Sequence, residues 1–167
     1  AALQVVNEFA IAGSFNLAIA TELAADSMSA LGLESKNTDQ FLINLTKITD
    51  TLVGANVLAN STTGEFAQAL QIAGPLMRAY GINIENGVAA LAAYAKQGKK
   101  GAVGGEIFAR SVRLGVKGLI ANENAWKRFG ISLVDSEDKM RSFSDISKDL
   151  TQALDGMGVT ARGRALD

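Results

Sequence analysis

The stretch "AAYAKQGKKGAVGGEIFARSVRLGVKG", residues 92–118, sets four glycines, Gly98, Gly101, Gly104 and Gly105, around Lys99 and Lys100. It is either a phosphate cradle opening a helix or a tight corner between two helices, and the two readings lead to different proteins. A Walker loop needs G-x-x-x-x-G-K-[ST] after a buried strand. Gly98-Lys99 supplies the G-K, but position 93 is alanine and position 100 is lysine, so the first glycine and the magnesium-binding hydroxyl are both missing. Gly101, Gly104 and Gly105 do not fit G-x-G-x-x-G, and an alanine-rich helical segment precedes them. The corner reading explains more. Gly98 sits where a helix needs a C′ residue of positive φ, and Gly101 and Gly105, four apart, let the next helix pack its backbone against a neighbour.

Composition removes whole classes of chemistry. The 167 residues contain no cysteine and no histidine, which excludes disulfides, thiolate metal sites, cysteine nucleophiles and imidazole bases. No cofactor and no metal site is expected. The chain is 48% hydrophobic and 20% charged with a net charge of −1, a globular balance with no global attraction to nucleic acid or anionic lipid. Uncharged stretches such as Phe9–Thr21 and Phe66–Met77 fall short of the roughly 20 residues a spanning helix needs. "AALQVVNEFA" opens without Met and already in helical rhythm, and "VTARGRALD" carries no evident cap, so a segment of a longer protein is expected.

Helical periodicity runs through most of the chain. Ala2, Val6, Phe9 and Ala10 make one stripe. Leu17, Ala20, Ala24, Met28 and Leu31 make a second, stopped by Gly32. Phe41, Leu45, Ile48 and Leu52 make a third after the polar turn 34–37. Thr62 and Glu65 form a capping box for a helix through Phe66, Ala69 and Leu70, which Gly74 and Pro75 are expected to bend or restart and Gly81 to end. Val88, Leu91, Ala92 and Ala95 mark the next. The helix from Gly105 to Lys117 is expected to turn Ile107, Ser111 and Leu114 inward and Arg110, Arg113 and Lys117 outward. Asn122 is read as the cap of a short helix through Trp126 and Phe129. Ser142 with Asp145 opens the last helix, with Ile146, Leu150, Leu154 and Met157 inward. Only "ISLVDSEDKMRSF", 131–143, breaks the rhythm, with alternating Ile131, Leu133 and Val134, a polar turn, then Met140. The expected fold is mainly α: a compact multi-helix domain of short antiparallel helices, too short for a coiled coil, with one small β-hairpin near residues 131–142.

Candidate sites are few. From Lys96 to Lys117 six Lys/Arg face one Glu; Arg110, Arg113 and Lys117 form a possible contact face for phosphates or an acidic partner, read first as the solvated side of the helix. Glu22 and Asp26, one turn apart, read as surface decoration. Asp135, Glu137 and Asp138 lack calcium-loop spacing. Trp126, Phe129 and Tyr80 read as core anchors.

Four segments in order resemble the core region of phage tail tape measure proteins. "EFAQALQIAGPLMRAYGINIENGVAALAAYAKQG" is similar to that family's helix with an internal Gly-Pro, its restart and its alanine-rich helix. "GKKGAVGGEIFAR" is similar to its G-x-K-G-x-x-A-G turn, "AWKRFGISLVDSEDKMRSFSDI" to its L-x-x-L-G-[IV] segment, and "ISKDLTQAL" to the helix that follows. Lys99 stands where that family usually has an apolar residue, Gly104 where alanine is usual and Asp138 where glycine is usual. The resemblance implies a core-like region over 61–167 after a helical lead-in over 1–60. It implies a non-enzymatic structural protein of the tail lumen, assembled in the bacterial cytoplasm and acting in tail length determination and DNA delivery. Implied partners are tail tube, tail initiator and tail assembly chaperone proteins and further copies of the chain, with DNA passing close by and no small-molecule substrate. Two alternatives stay open: a membrane-active, toxin-like helical domain, and a nucleotide enzyme using Gly98–Gly105.

Overall fold

The computed structural model describes residues 1–136 and 141–155. Among them are eight helices: α1 (Ala2–Gly13), α2 (Leu17–Leu31), α3 (Thr38–Leu58), α4 (Thr63–Ala79), α5 (Ile84–Lys96), α6 (Gly101–Ala121), α7 (Glu123–Arg128) and α8 (Phe143–Asp155). The mainly α class stands. The chain divides into two compact units, Ala1–Val112 and the residues from Arg113 onward.

Local chemistry starts and stops these helices. Asn16, Asn37 and Asn83 accept N-cap hydrogen bonds from the N–H groups of Ile19, Gln40 and Asn86 at 2.8–2.9 Å, each satisfying a donor the helix cannot pair itself. At α4 the capping box is complete: Glu65 N–H donates to Thr62 Oγ1 (3.1 Å) and Thr62 N–H donates to Glu65 Oε2 (2.7 Å). Gly81, Gly98 and Gly130 follow the ends of α4, α5 and α7 with φ of 61°, 79° and 72°, which costs glycine nothing sterically. The next amide then reaches back five residues, from Ile82 to Met77 O (2.8 Å), Lys99 to Tyr94 O (3.0 Å) and Ile131 to Trp126 O (3.0 Å). This is the Schellman closure, in which an apolar C″ residue normally packs on the last turn. Ile82 and Ile131 supply that residue, and Lys99 does not.

The core of the first unit is built from alternately thin and thick layers. Ala20, Ala24, Met28 and Leu31 of α2 are buried together with Phe66, Ala67, Leu70, Ala73 and Met77 of α4. Alanine lets the two backbones close in. A Cβ at Gly74 would lie 2.9 Å from Ala30 O, so only glycine permits that crossing. Leu45, Ile48 and Leu52 of α3 and Val88 and Leu91 of α5 complete the same core. In the second unit Leu119, Ile131, Leu133 and Ile146 form a smaller cluster, with Trp126 and Phe129 half-buried against it.

Several expectations give way. Of the bend or restart expected at Gly74 and Pro75, the restart does not occur: α4 runs unbroken through both. Gly74 has no Cβ to clash with the proline ring, and the carbonyl that loses its donor belongs to Gln71, an exposed residue. The β-hairpin near 131–142 is absent among the described residues, which hold an isolated bridge at Val134 and no strand. The alternation records an extended segment with Ile131 and Leu133 buried, and Arg141 N–H donates to Leu133 O at 2.9 Å. Glu137, Asp138, Met140 and Met157 lie outside the described residues. Asn122 does not cap α7 with its side chain; its Nδ2 donates to Gly118 O (2.8 Å), closing the end of α6 instead. Helices α3 and α6 reach 21 residues each, longer than their apolar stripes suggest.

Candidate functional site

The glycine corner can now be built atom by atom. Gly98 closes α5, and a Cβ there would meet nothing within 4 Å. The other three glycines lie against protein. A Cβ at Gly101 (φ 54°) would fall 2.5 Å from Gln68 Oε1, one at Gly104 2.8 Å from Lys99 O, and one at Gly105 2.7 Å from Ala69 O. Gln68 Oε1 also accepts from Ala102 N–H at 3.3 Å. The space a phosphate would need beside these three glycines is therefore occupied by α4 and by the corner's own backbone. Helix α5, not a strand, leads into it. Among the described residues no group of three or more acidic side chains could hold a metal ion.

Helix α6 is rotated from its expected setting. Gly104, Gly105, Phe108 and Ala109 are buried, while Ser111 and Leu114 are exposed. Arg110, Arg113 and Lys117 are exposed as expected, and none forms an ion pair among the described residues. Glu22 is exposed. Asp26 Oδ2 accepts from Gln71 Nε2 (2.9 Å), tying α2 to α4. Tyr80 is half-buried, outside the core.

Sequence reading missed the grooves, since each depends on how separate helices pack rather than on the pattern of any one. One, about 370 Å³, lies between α1, α2 and the start of α3, on Leu3, Val6, Met28, Phe41 and Leu45 with Glu34 beside them. Another, about 410 Å³, lies between α1 and α3, on Val5, Phe9 and Val53 with Glu8 and Asp50 at its edge. No single helix among the described residues is long and apolar enough to cross a membrane. The bent pair α1–α2 meets the length and composition by itself, broken by 106°. Yet Val6, Phe9, Ala10, Ala20, Ala24 and Met28 of that pair are core residues, which accounts for its apolarity.

Among the described residues the glycine corner is occupied by packing contacts. The family model of the phage-related minor tail protein matches residues 1–167. The chain belongs to the phage-related minor tail protein family. This minor tail protein is thus a bacteriophage protein and a component of the virion tail, and its membership points to a structural, non-enzymatic role. Neither the curated proteins nor the solved structures gave a match.

Proposed function

We propose that this minor tail protein is a folded segment of a tail tape measure protein, acting in tail assembly, tail length determination and DNA delivery from within the tail lumen. The observation that carries the reading is the ordered set of segments from Glu65 to Leu154, taken with family membership over the whole chain. On this reading it works without catalytic residues or small-molecule substrate. Its partners are the tube, initiator and assembly chaperone proteins and further copies of itself.

The fold refines the role. As one continuous helix, 167 residues would span about 250 Å at 1.5 Å per residue. Instead the helices α1–α5 pack on one another around a common core. The segment is then a folded module, and length is measured by other, extended parts of the same protein. In-frame deletion of 68–154 in the phage should abolish tail assembly or DNA delivery, with tail length read by electron microscopy. Infectious particles whose tails are shorter in proportion to the residues removed would show this segment to be extended ruler.

A further inference from the structure

The charges of this chain are segregated. Residues 1–60 hold six carboxylates against Lys36 and Lys47, whereas 96–128 hold eight Lys/Arg against Glu106 and Glu123. The local partners deepen the asymmetry. Lys47 is already engaged with Glu85 at 2.8 Å, which leaves the acidic edge of the α1–α3 groove without a base of its own. Glu8 and Asp50 are exposed on that edge and form no ion pair among the described residues. Beneath them Val5 and Val53 are half-buried and Phe9 floors the groove.

Helix α6 carries the converse surface. Arg113, Leu114, Lys117 and Ile120 fall at i, i+1, i+4 and i+7, one face of a helix. Leu114 and Ile120 are each 59% exposed, and Arg113 and Lys117 have no ion-pair partner among the described residues. Around that face Leu114 and Ile120 stand on either side of the two cations, and a face of cations bounded by apolar side chains suits an apolar groove edged by carboxylates in charge and in apolar content.

We propose that the α1–α3 groove of one copy receives the Arg113–Ile120 face of α6 from a second copy. The two surfaces differ, so the contact is head-to-tail, and each copy keeps one of each to offer a further copy. This names a surface for the self-association in the proposed function and rests on that reading.

The full chain tests it by sedimentation velocity across protein concentration at low and high salt. The expected result is concentration-dependent association that salt weakens. Glu8→Lys with Asp50→Lys, or Arg113→Glu with Lys117→Glu, should each weaken it at least about tenfold. Mixing the two variants should restore it, because each then meets a groove and a helix face of opposite sign. Glu22→Lys with Glu34→Lys, the same charge change away from this groove, should leave association within about twofold of wild type. All substituted positions are exposed, and circular dichroism checks that the helices persist. A wild-type chain monomeric at every concentration, association indifferent to the groove and helix reversals, equal loss in the control, or a mixture that stays monomeric each overturns the docking surface. None of these results alters tail length in the deletion phage, so the tail reading stands or falls separately.

Discussion

A methyl group added at Gly105 and one added at Gly115 meet opposite surroundings on the same helix. At Gly105 it would lie 2.7 Å from Ala69 O and 3.1 Å from both Ala69 Cα and Ile72 Cβ, whereas at Gly115 it meets nothing within 4 Å. Backbone atoms cannot swing aside as a flexible side chain does, so Gly105→Ala should push α6 off α4 and cost about 1–3 kcal/mol. Gly115→Ala removes only the entropic penalty of a helical glycine and should stabilise by about 0.5–1 kcal/mol. Urea midpoints of the two variants, moving in opposite directions, are the check. Ser27 offers a third single-atom test. Its side chain is fully buried on α2, and its hydroxyl has no hydrogen-bond partner among the described residues. Ser27→Ala deletes a desolvated, unpaired group at almost constant volume and should raise stability by about 1 kcal/mol; a lowered urea midpoint would show that the hydroxyl is satisfied in solution.

Helix ends explain how the protein answers to acid. The Thr62 N–H bond to the Glu65 carboxylate holds that group below its ordinary range, helped by the Ser61 hydroxyl and the Lys100 charge and opposed by burial. The Lys47 ammonium does the same for Glu85, linking α3 to α5. A lowered folded value means that the unfolded chain binds the proton first. The stabilisation is therefore complete above the unfolded value, about pH 4.3 for glutamate, and is lost as pH falls through the folded one. Stability should drop between about pH 5 and 3, and Glu65→Gln, which can still accept from Thr62 N–H, should flatten that limb in urea titrations. Such ends were the most legible part of the sequence. A capping box or a C′ glycine acts on its own few residues, so Thr62, Glu65, Gly81 and Gly98 could be placed without knowing the tertiary fold. Faces and breaks were not. The setting of α6 was misread because a glycine counts as neutral in an apolar stripe, although Gly104 and Gly105 sit where neighbouring backbone comes closest. The restart allowed at Pro75 did not follow, because the cost of a lost amide depends on whether the orphaned carbonyl reaches water.

Across the whole molecule, stability is distributed as unequally as charge. Among the described residues, twenty-three buried apolar ones, Val6 to Phe108, form the first cluster, and four, Leu119, Ile131, Leu133 and Ile146, form the second. The grooves that carry the candidate contacts belong to this level too. Val5 and Val53 share one because α1 packs on α3, a neighbourhood that no local pattern encodes, whereas the exposure of Arg110, Arg113 and Lys117 followed from helical spacing alone. The imbalance in burial has a consequence for folding. Fully burying one large aliphatic side chain contributes about 1.5–3 kcal/mol, against a conformational cost of about 1–2 kcal/mol for each ordered backbone residue. Four such side chains are too few to hold the described residues of the second unit by themselves, whereas the first cluster has the size of an ordinary domain core. A fragment of residues 1–121, which keeps α6 whole, should therefore unfold cooperatively with a midpoint within a few degrees of the full chain. A fragment of 113–155 should show no cooperative transition. Thermal scans by circular dichroism decide the point: a non-cooperative 1–121 fragment would mean that the first core is closed only with help from the residues beyond it.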